Sequence, residues 1–474
     1  MRVLLTGATG FIGRRLYGRL VRREDIELTL LVRDKRKLSP IPPNVRVIEG
    51  DTFNIDALHK ATSNIDVAYY LIHSMRAKNY DQLDKESAKN FLHSCISNRV
   101  EKIIYLGGLG EKDKSSLHLR SRIEVGEILS SREREIKTIW FRAGMIIGAG
   151  SASFEIVRHL TQKIPIMITP KWVRTKTQPI SVNDVIDYLE TAIWTNIEKN
   201  EVVDIGADLV SFEELIRLTA KIMGLRRLII PVPLLSPRLS SYWLILFTPV
   251  PYSIAGELVE GLRYETTLKN SRAKELFPQI NPTPIKDAII KALDETIQSN
   301  IISRWCDSTT SLFCDISQKS MQLSESILTY ETSKPLPSGL EEKVFKVIKS
   351  LGGDKGWYKF DFLWHIRGLI DKLFGGYGIN RGRRDPDDLR VGDALDWWKV
   401  IDIIPNRRLL LYSQMKNPGE AWLEFLIEKN SLKLTAYFNP KGLLGILYWR
   451  LTQPFHYLVF NDLIKNIVRE ATNK

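Results

Sequence analysis

Two sets of residues in this chain have the type and spacing that chemistry needs. Gly7, Gly10 and Gly13 recur at intervals of three in TGATGFIG, and His118 and Arg122 stand four apart in LHLRSRIEVGEIL. Glycines so spaced let a backbone turn tightly, approach a pyrophosphate with no Cβ in the way, and pack the following helix closely on the preceding strand. Thr9, Phe11 and Ile12 belong to the same loop and are expected to contact the nucleotide with them. A histidine four residues before an arginine shares its helix face, where an imidazole can give or take a proton near neutral pH beside a fixed cation. His73, after another apolar run, is a second candidate acid. The plainer readings are a basic helix surface for His118 and Arg122, and a pocket lining for His73.

These groups need elements to hold them. Val3 to Leu5 read as a strand entering the glycine loop, and Arg14 to Val21 as the helix leaving it. The helix N-terminus then offers free N–H groups and a positive dipole end to an anion. Glu27 to Val32 is a second strand and ends in Arg33; an acid there bonds the ribose 2′-hydroxyl of NAD, whereas an arginine pairs a 2′-phosphate. NADP is therefore favoured, while the adjacent Asp34 keeps NAD open. Val45 to Glu49 is a third strand followed by Asp51 and Thr52, placed with the cofactor residues; Asp51 accepts from the adenine amino group or caps a helix. Val67 to Ile72 carries Leu71 into His73 at the carboxyl edge of the sheet, where ligands of such sheets bind. Ile103 to Leu106 and Thr138 to Arg142 complete six strands alternating with helical stretches, which predicts an α/β, doubly wound parallel sheet. Arg15, Arg19, Arg22 and Arg23 fall on one side of the first helix and read as a solvated face.

Over about Met1 to Thr296 these residues resemble the short-chain dehydrogenase/reductase superfamily, in its atypical, NmrA-like and extended epimerase-like branches. The resemblance implies an NAD(P)-binding Rossmann domain with a small substrate lobe over roughly 144–300. It makes FRAGMIIGAGSASF the loop beneath the nicotinamide, with Ala143 and Met145 as cofactor neighbours, and Asp184 in PISVNDV a cap of the next helix. Enzymes of this superfamily use a serine, a tyrosine and a lysine four residues after the tyrosine. Here Tyr-x-x-x-Lys occurs only at Tyr330/Lys334, Tyr412/Lys416 and Tyr437/Lys441, beyond the cofactor domain, and His118 and Arg122 stand in the expected place. Trp172 and Arg174 are expected to close over a substrate or to pack against a further domain. Ser211 and Glu214 in SFEE form a capping box.

Between Ser299 and Ser338 the periodicity fades, which predicts a domain over 1–300, a linker over 301–323 and a second domain over 324–474. The latter reads as a strand at Ser324 to Thr332, helices at Leu340 to Leu351 and Asp361 to Phe374, and four antiparallel strands between Asp396 and Phe438. Turns fall at Gly419 and Asn430, and a long helix closes the chain. A sheet gripping a C-terminal helix resembles the START/polyketide-cyclase (SRPBCC-like, α+β helix-grip) superfamily. More narrowly, GWY, DFLWHIRGLID, GINRGRRDP, GDALDWWKV and PGEAWLEF resemble an uncharacterised domain appended to NmrA-like proteins. Trp364, Trp398, His456 and Tyr457 are candidates to line an apolar cavity there, or else to fill a core.

At 474 residues with 44% hydrophobic and 26% charged residues the chain predicts a globular protein of two or three domains. The net charge of +13 comes without a nucleic-acid module, so no nucleic-acid partner is expected. Three cysteines without metal-ligand spacing predict no metal site and a reducing, cytoplasmic setting, and the strand at the very start leaves no room for a signal peptide. The apolar window Leu228 to Tyr252 is broken by five prolines, which argues against a span and leaves peripheral contact with a membrane surface open. The functional expectation is an NADP(H)-binding oxidoreductase-like protein acting on or sensing an apolar small molecule. The alternatives are a non-catalytic NADPH-binding regulator or accessory subunit, and a lipid or isoprenoid carrier.

Overall fold

The protein is described by a computed structural model for all residues except 39, 74–79, 113–115, 233–249, 251, 262, 298–300, 305–327, 338, 374–375, 377, 379–381, 429 and 474. Cys306, Cys314, most of the apolar window and most of the expected linker lie outside the described residues. The chain divides into two compact units, Met1–Thr310 and Ser311–Lys474.

The first unit opens with β1 (Arg2–Thr6), β2 (Glu27–Val32), β3 (Val45–Glu49), β4 (Val67–Tyr70), β5 (Lys102–Gly108) and β6 (Lys137–Ala143). The short strands β7 (Ile146–Ile147), β8 (Ile166–Pro170), β9 (Lys176–Thr177) and β10 (Ile180–Ser181) precede β11 (Glu201–Ile205), β12 (Val210–Ser211) and β13 (Leu228–Val232). A seven-stranded sheet runs β3-β2-β1-β4-β5-β6-β11, every pair parallel. The order reverses between β1 and β4, which opens a crevice beyond their carboxyl ends.

Helices α1 (Phe11–Leu20), α2 (Ile55–Thr62), α3 (Tyr80–Ser97), α4 (Leu117–Leu129), α5 (Ala152–Lys163), α6 (Val182–Thr191), α7 (Phe212–Ile222), α8 (Tyr252–Gly261), α9 (Arg272–Leu276) and α10 (Ile285–Ile297) complete this unit. Successive strand residues feed opposite layers, as strands buried on both faces must: Val3, Leu5, Leu30 and Tyr69 enter one core, and Leu4, Leu31, Ala68 and Tyr70 the other. A third cluster, including Phe154, Met167, Phe212 and Ile289, forms the core of the lobe after β6.

Three local expectations are corrected. The strand β11 is missing from the sequence reading, because the acids in EVVDI hide its apolar character; Glu201 pairs with Arg272 at 2.7 Å and the buried Asp204 with Arg142 at 2.6 Å. The basic side of α1 is solvated only in part: Arg15 is buried and pairs with Glu295 at 2.8 Å, whereas Arg19 and Arg22 are exposed and Arg19 meets Asp187 and Glu190. Ser181 caps α6, while Asp184 accepts from the Thr283 N–H and hydroxyl. The capping box of Ser211 and Glu214 is present on α7.

The second unit comprises β14 (Leu328–Pro335), α11 (Glu341–Lys349), α12 (Asp361–Leu373), β15 (Ala394–Leu395), β16 (Trp398–Ile404), β17 (Arg408–Ser413), β18 (Gly419–Glu428), β19 (Ser431–Pro440) and α13 (Gly442–Asn473). Its antiparallel sheet runs β14-β19-β18-β17-β16-β15, and α13 packs on β19 and β14. Asn430 makes a turn at φ 58°, whereas Gly419 begins β18 opposite Pro440.

Candidate functional site: a glycine cleft joined to an apolar cavity

At the carboxyl ends of β1 and β4 the glycine loop shapes a narrow cleft of about 250 Å³. Gly7 adopts φ +73°, and a Cβ there would run into the Leu71 carbonyl; one at Gly13 would run into the carbonyl of Gly7. These two positions require glycine, the first for turn and space, the second for close packing of α1 on the loop. Gly10 donates its N–H to Gly7 O at 2.9 Å and caps α1 with no side-chain hydrogen bond, leaving the first-turn amides to an anion.

Gly7, Thr9, Gly10, Phe11, Ile12, Arg33, Asp51, Thr52, Leu71 and His73 of the expected cofactor residues line this cleft, and Gly13 supports it from behind. Asp34 is buried and bonds Arg36 at 2.9 Å, and it is not among the lining residues, whereas Arg33 is exposed at the cleft. Asp51 accepts from the N–H groups of Phe53 and Asn54, and Asn54, not Asp51, caps α2. Thr52 and Ser87 hydroxyls meet at 2.6 Å, and Ser87 also meets the Tyr70 hydroxyl at 2.7 Å.

Phe11, Ile12, His73, Leu106 and Arg122 also border a larger cavity of about 790 Å³. Its wall is mainly aliphatic, with Leu109, Met145, Ile146, Ile156 and Met167 among the contributors. Ala143 and Met145 line this cavity rather than the narrow cleft. Val173 and Thr175 reach it, but Arg174 between them is not among its lining residues and bonds Glu213 at 2.9 Å at the surface. The side chain of Trp172 lies outside the described residues.

Where the two spaces join, three side chains form a row. The His73 Nδ1–H donates to Asp84 Oδ2 at 3.0 Å, and His73 Nε2 lies 3.1 Å from His118 Nδ1. Because an ionised carboxylate only accepts, His73 carries its proton on Nδ1; its Nε2 then accepts from the Nδ1–H of His118. The His118 Nε2 is left over on a residue that lines the cavity. Asp84, on α3, is 2% exposed and is also approached by the Ser121 hydroxyl at 3.4 Å.

Burial lowers the proton affinity of both imidazoles. For His73 the hydrogen bond to Asp84 opposes this; for His118 the neighbouring His73 and Arg122 add to it and hold the group well below the ordinary histidine range. The helical spacing of α4 places Arg122 one turn on, where its Nη2 donates to the Leu106 carbonyl and its own carbonyl accepts from Tyr105 at 2.8 Å. Glu257 of α8 lines the same cavity; burial raises its proton affinity, and the Tyr80 hydroxyl lies 3.5 Å away.

Sequence reasoning missed Asp84, Ser121 and Glu257. Asp84 sits in YDQLDKESAKNF among four other charged residues, and its pairing with His73 is a product of folding that no local spacing announces.

The comparisons with known proteins agree with this geometry. Residues 7–138 match a family model described as NAD(P)H-binding. The first unit carries an NAD(P)H-binding domain. Residues 326–463 match a second model, a protein of unknown function designated DUF2867. No curated protein matches the chain in sequence. Among solved structures, the triphenylmethane reductase of Citrobacter sp. complexed with NADP(H) is 17% identical, with 62% of this chain and 100% of that one covered at a TM-score of 0.51. The structure of gox2253 is 18% identical over 63% of this chain and 98% of that one, at 0.50. The UDP-glucuronic acid 4-epimerase of Bacillus cereus in complex with NAD is 17% identical over 63% and 99%, at 0.48. At these identities the likeness is one of fold.

In the second unit the expected cavity residues sit among aromatic rings. Trp364 lies 4.9 Å from Trp397, which lies 6.1 Å from Trp398. His456 stacks on Phe460 at 5.2 Å, beside Trp449 at 4.8 Å. Tyr457 is 63% exposed, because one residue along a helix turns 100° away from the inward His456.

Proposed function

We propose that this protein is an NADP(H)-dependent oxidoreductase acting on an apolar small molecule, with His118 as the group that exchanges a proton with the substrate. The observation that carries the reading is the row Asp84–His73–His118 ending in a largely aliphatic cavity contiguous with the glycine cleft. The cleft fits the nucleotide because the tight glycine turn ends at the start of α1, whose first-turn amides no side chain caps. Gly7, Thr9 and Gly10 would hold the pyrophosphate, Arg33 the 2′-phosphate, and Asp51 with Thr52 the adenosine edge. When bound, the nicotinamide supplies or accepts a hydride.

The chain's own residues handle the proton. In the oxidative direction the lone pair on His118 Nε2 takes the proton of a substrate hydroxyl, and the resulting imidazolium donates through Nδ1 to His73, whose own Nδ1–H points at the Asp84 carboxylate. In the reductive direction the row first takes up one proton from solvent, and the same atoms then run in reverse to deliver it from His118 Nε2 to the alkoxide that the hydride creates. Burial makes the His118 imidazolium a strong acid, suited to give its proton to a developing alkoxide. Arg122 fixes the end of β5 through Leu106 and adds a cation beside the reacting oxygen.

A non-catalytic, NADPH-sensing role is the second reading, favoured by the absence of Tyr-x-x-x-Lys from the first unit. For the second unit we extend the proposal to a helix-grip arrangement, supported by the packing of α13 on β14 and β19. NADPH oxidation against a panel of apolar ketones, aldehydes and quinones tests the enzyme reading. His118→Phe is expected to stop turnover and keep NADPH affinity; tight NADPH binding with no turnover on any compound would leave the sensing role.

A further inference from the structure

The second unit exposes an apolar surface that its own core does not use. The N-terminal part of α13, to Val459, directs Gly445, Trp449 and Val459 inward, yet the opposite side carries Leu443 at 85% exposure, Leu444 at 74%, and Leu447, Leu451, Phe455 and Leu458 at half or more. Farther along the same helix the outer face turns basic, with Lys465 and Arg469 exposed. The neighbouring α12 shows a stripe of Phe362, Ile366, Leu369 and Ile370, each more than 40% exposed. Arg367 joins the two helices, its guanidinium 5.9 Å from the Tyr448 ring and bonded to Asn417 at 2.5 Å.

The charges around this surface have one sign. No aspartate or glutamate occurs in 362–370 or in 442–461. The two carboxylates that bracket the α12 stripe are committed: Asp371 is buried and accepts from the N–H groups of Gly378 and Lys416, and Asp361 bonds the Trp357 N–H and His365. Lys416, Lys441 and Arg450 are exposed, and the Lys441 N–H bonds Pro418, which brings Lys441 beside the turn that carries Lys416.

We infer that α12 and the N-terminal part of α13 form a docking surface for an anionic phospholipid bilayer. An outward aliphatic arc about 16 residues long spans roughly 24 Å of helix and suits insertion parallel to a membrane plane. Among the described residues no helix is long and apolar enough to cross a membrane, so the surface lies on the bilayer rather than through it. A second copy of the chain fits less well: two-fold pairing of this face sets Lys416, Lys441 and Arg450 near their own counterparts, with no exposed carboxylate on these segments to answer them.

Flotation of the full chain with vesicles tests this, using phosphatidylcholine alone and phosphatidylcholine mixed with phosphatidylglycerol. The protein is expected to float with the mixed vesicles and far less with the neutral ones. The double substitution Leu443→Glu and Leu447→Glu is expected to lower partitioning at least ~10-fold. Arg450→Glu, at an exposed position that leaves the fold intact, is expected to lower it about fivefold or more on mixed vesicles only. Failure of the unaltered chain to float at low salt overturns the inference. So does flotation that all three substitutions leave unchanged, or a dimer in light scattering that the leucine substitutions dissociate while flotation persists.

Discussion

Replacing Asp84 with asparagine removes one negative charge and little volume from the end of the histidine row. In the native chain that carboxylate accepts from His73 at 3.0 Å and sustains its proton affinity against the burial that lowers it. It also dictates the tautomers: with Asp84 accepting, His73 and His118 each carry the resting proton on Nδ1. A neutral carboxamide accepts or donates, so both tautomers of His73 become available, and a proton arriving from His118 meets no stabilising charge. Positioned acid–base groups contribute roughly 10²- to 10⁴-fold to rate. Turnover of Asp84→Asn is therefore expected to fall at least ~100-fold, about 2.7 kcal/mol of barrier, with NADPH affinity unchanged. Nitrogen-15 NMR of the imidazoles supplies a readout independent of activity: one Nδ1–H tautomer for each histidine in the native chain, and a mixture in the variant. Turnover within threefold of native, or a native His118 with its resting proton on Nε2, would remove Asp84 from the proton path.

Arg33→Asp is expected to weaken NADPH about 10- to 100-fold, the range of a charge-assisted contact, and to leave NADH nearly unaffected; equal loss of both removes Arg33 from the 2′-phosphate. Gly7→Ala forces a side chain into φ +73° against the Leu71 carbonyl, so it should destabilise the first unit by about 1–3 kcal/mol and abolish saturable NADPH binding, as read by thermal unfolding and fluorescence titration. His456 is held neutral by burial down to about pH 4, whereas the unfolded chain protonates it near 6.5. The unfolded state thus binds more protons between those values, and the second unit should lose stability as pH falls from about 6.5 to about 4, by about 3 kcal/mol, a loss that His456→Phe removes in tryptophan-monitored unfolding.

The parallel sheet was legible because β1, β4 and β5 carry nearly unbroken apolar runs, the mark of strands covered on both faces, while the edge strand β3 shows an exposed arginine and glutamate. The strand Glu201–Ile205 was not, since ion pairs with Arg272 and Arg142 let charged residues enter it. The glycine cleft could be read from local spacing alone, as turn, approach and packing are all properties of one short segment. His118 and Arg122 were legible through helical periodicity, but the tie between His118, His73 and Asp84 joins α4, the end of β4 and α3, and such a meeting has no period. Arg174 misled because an aromatic and basic run suggests a pocket, while in the folded chain Glu213 takes the guanidinium at the surface. The outward arc of α13 reads in sequence as ordinary helix core; only the packed sheet reveals which side is already satisfied.

On the proposed reading, the cleft of the first unit holds NADP(H) through the glycine loop and Arg33. Calorimetric titration of the full chain with NADPH and with NADH, at equal ionic strength, tests it most directly. Saturable one-to-one binding of NADPH, at least ~10-fold tighter than that of NADH, is expected. Equal affinity for the two nucleotides, tighter NADH, or no heat with either would contradict it.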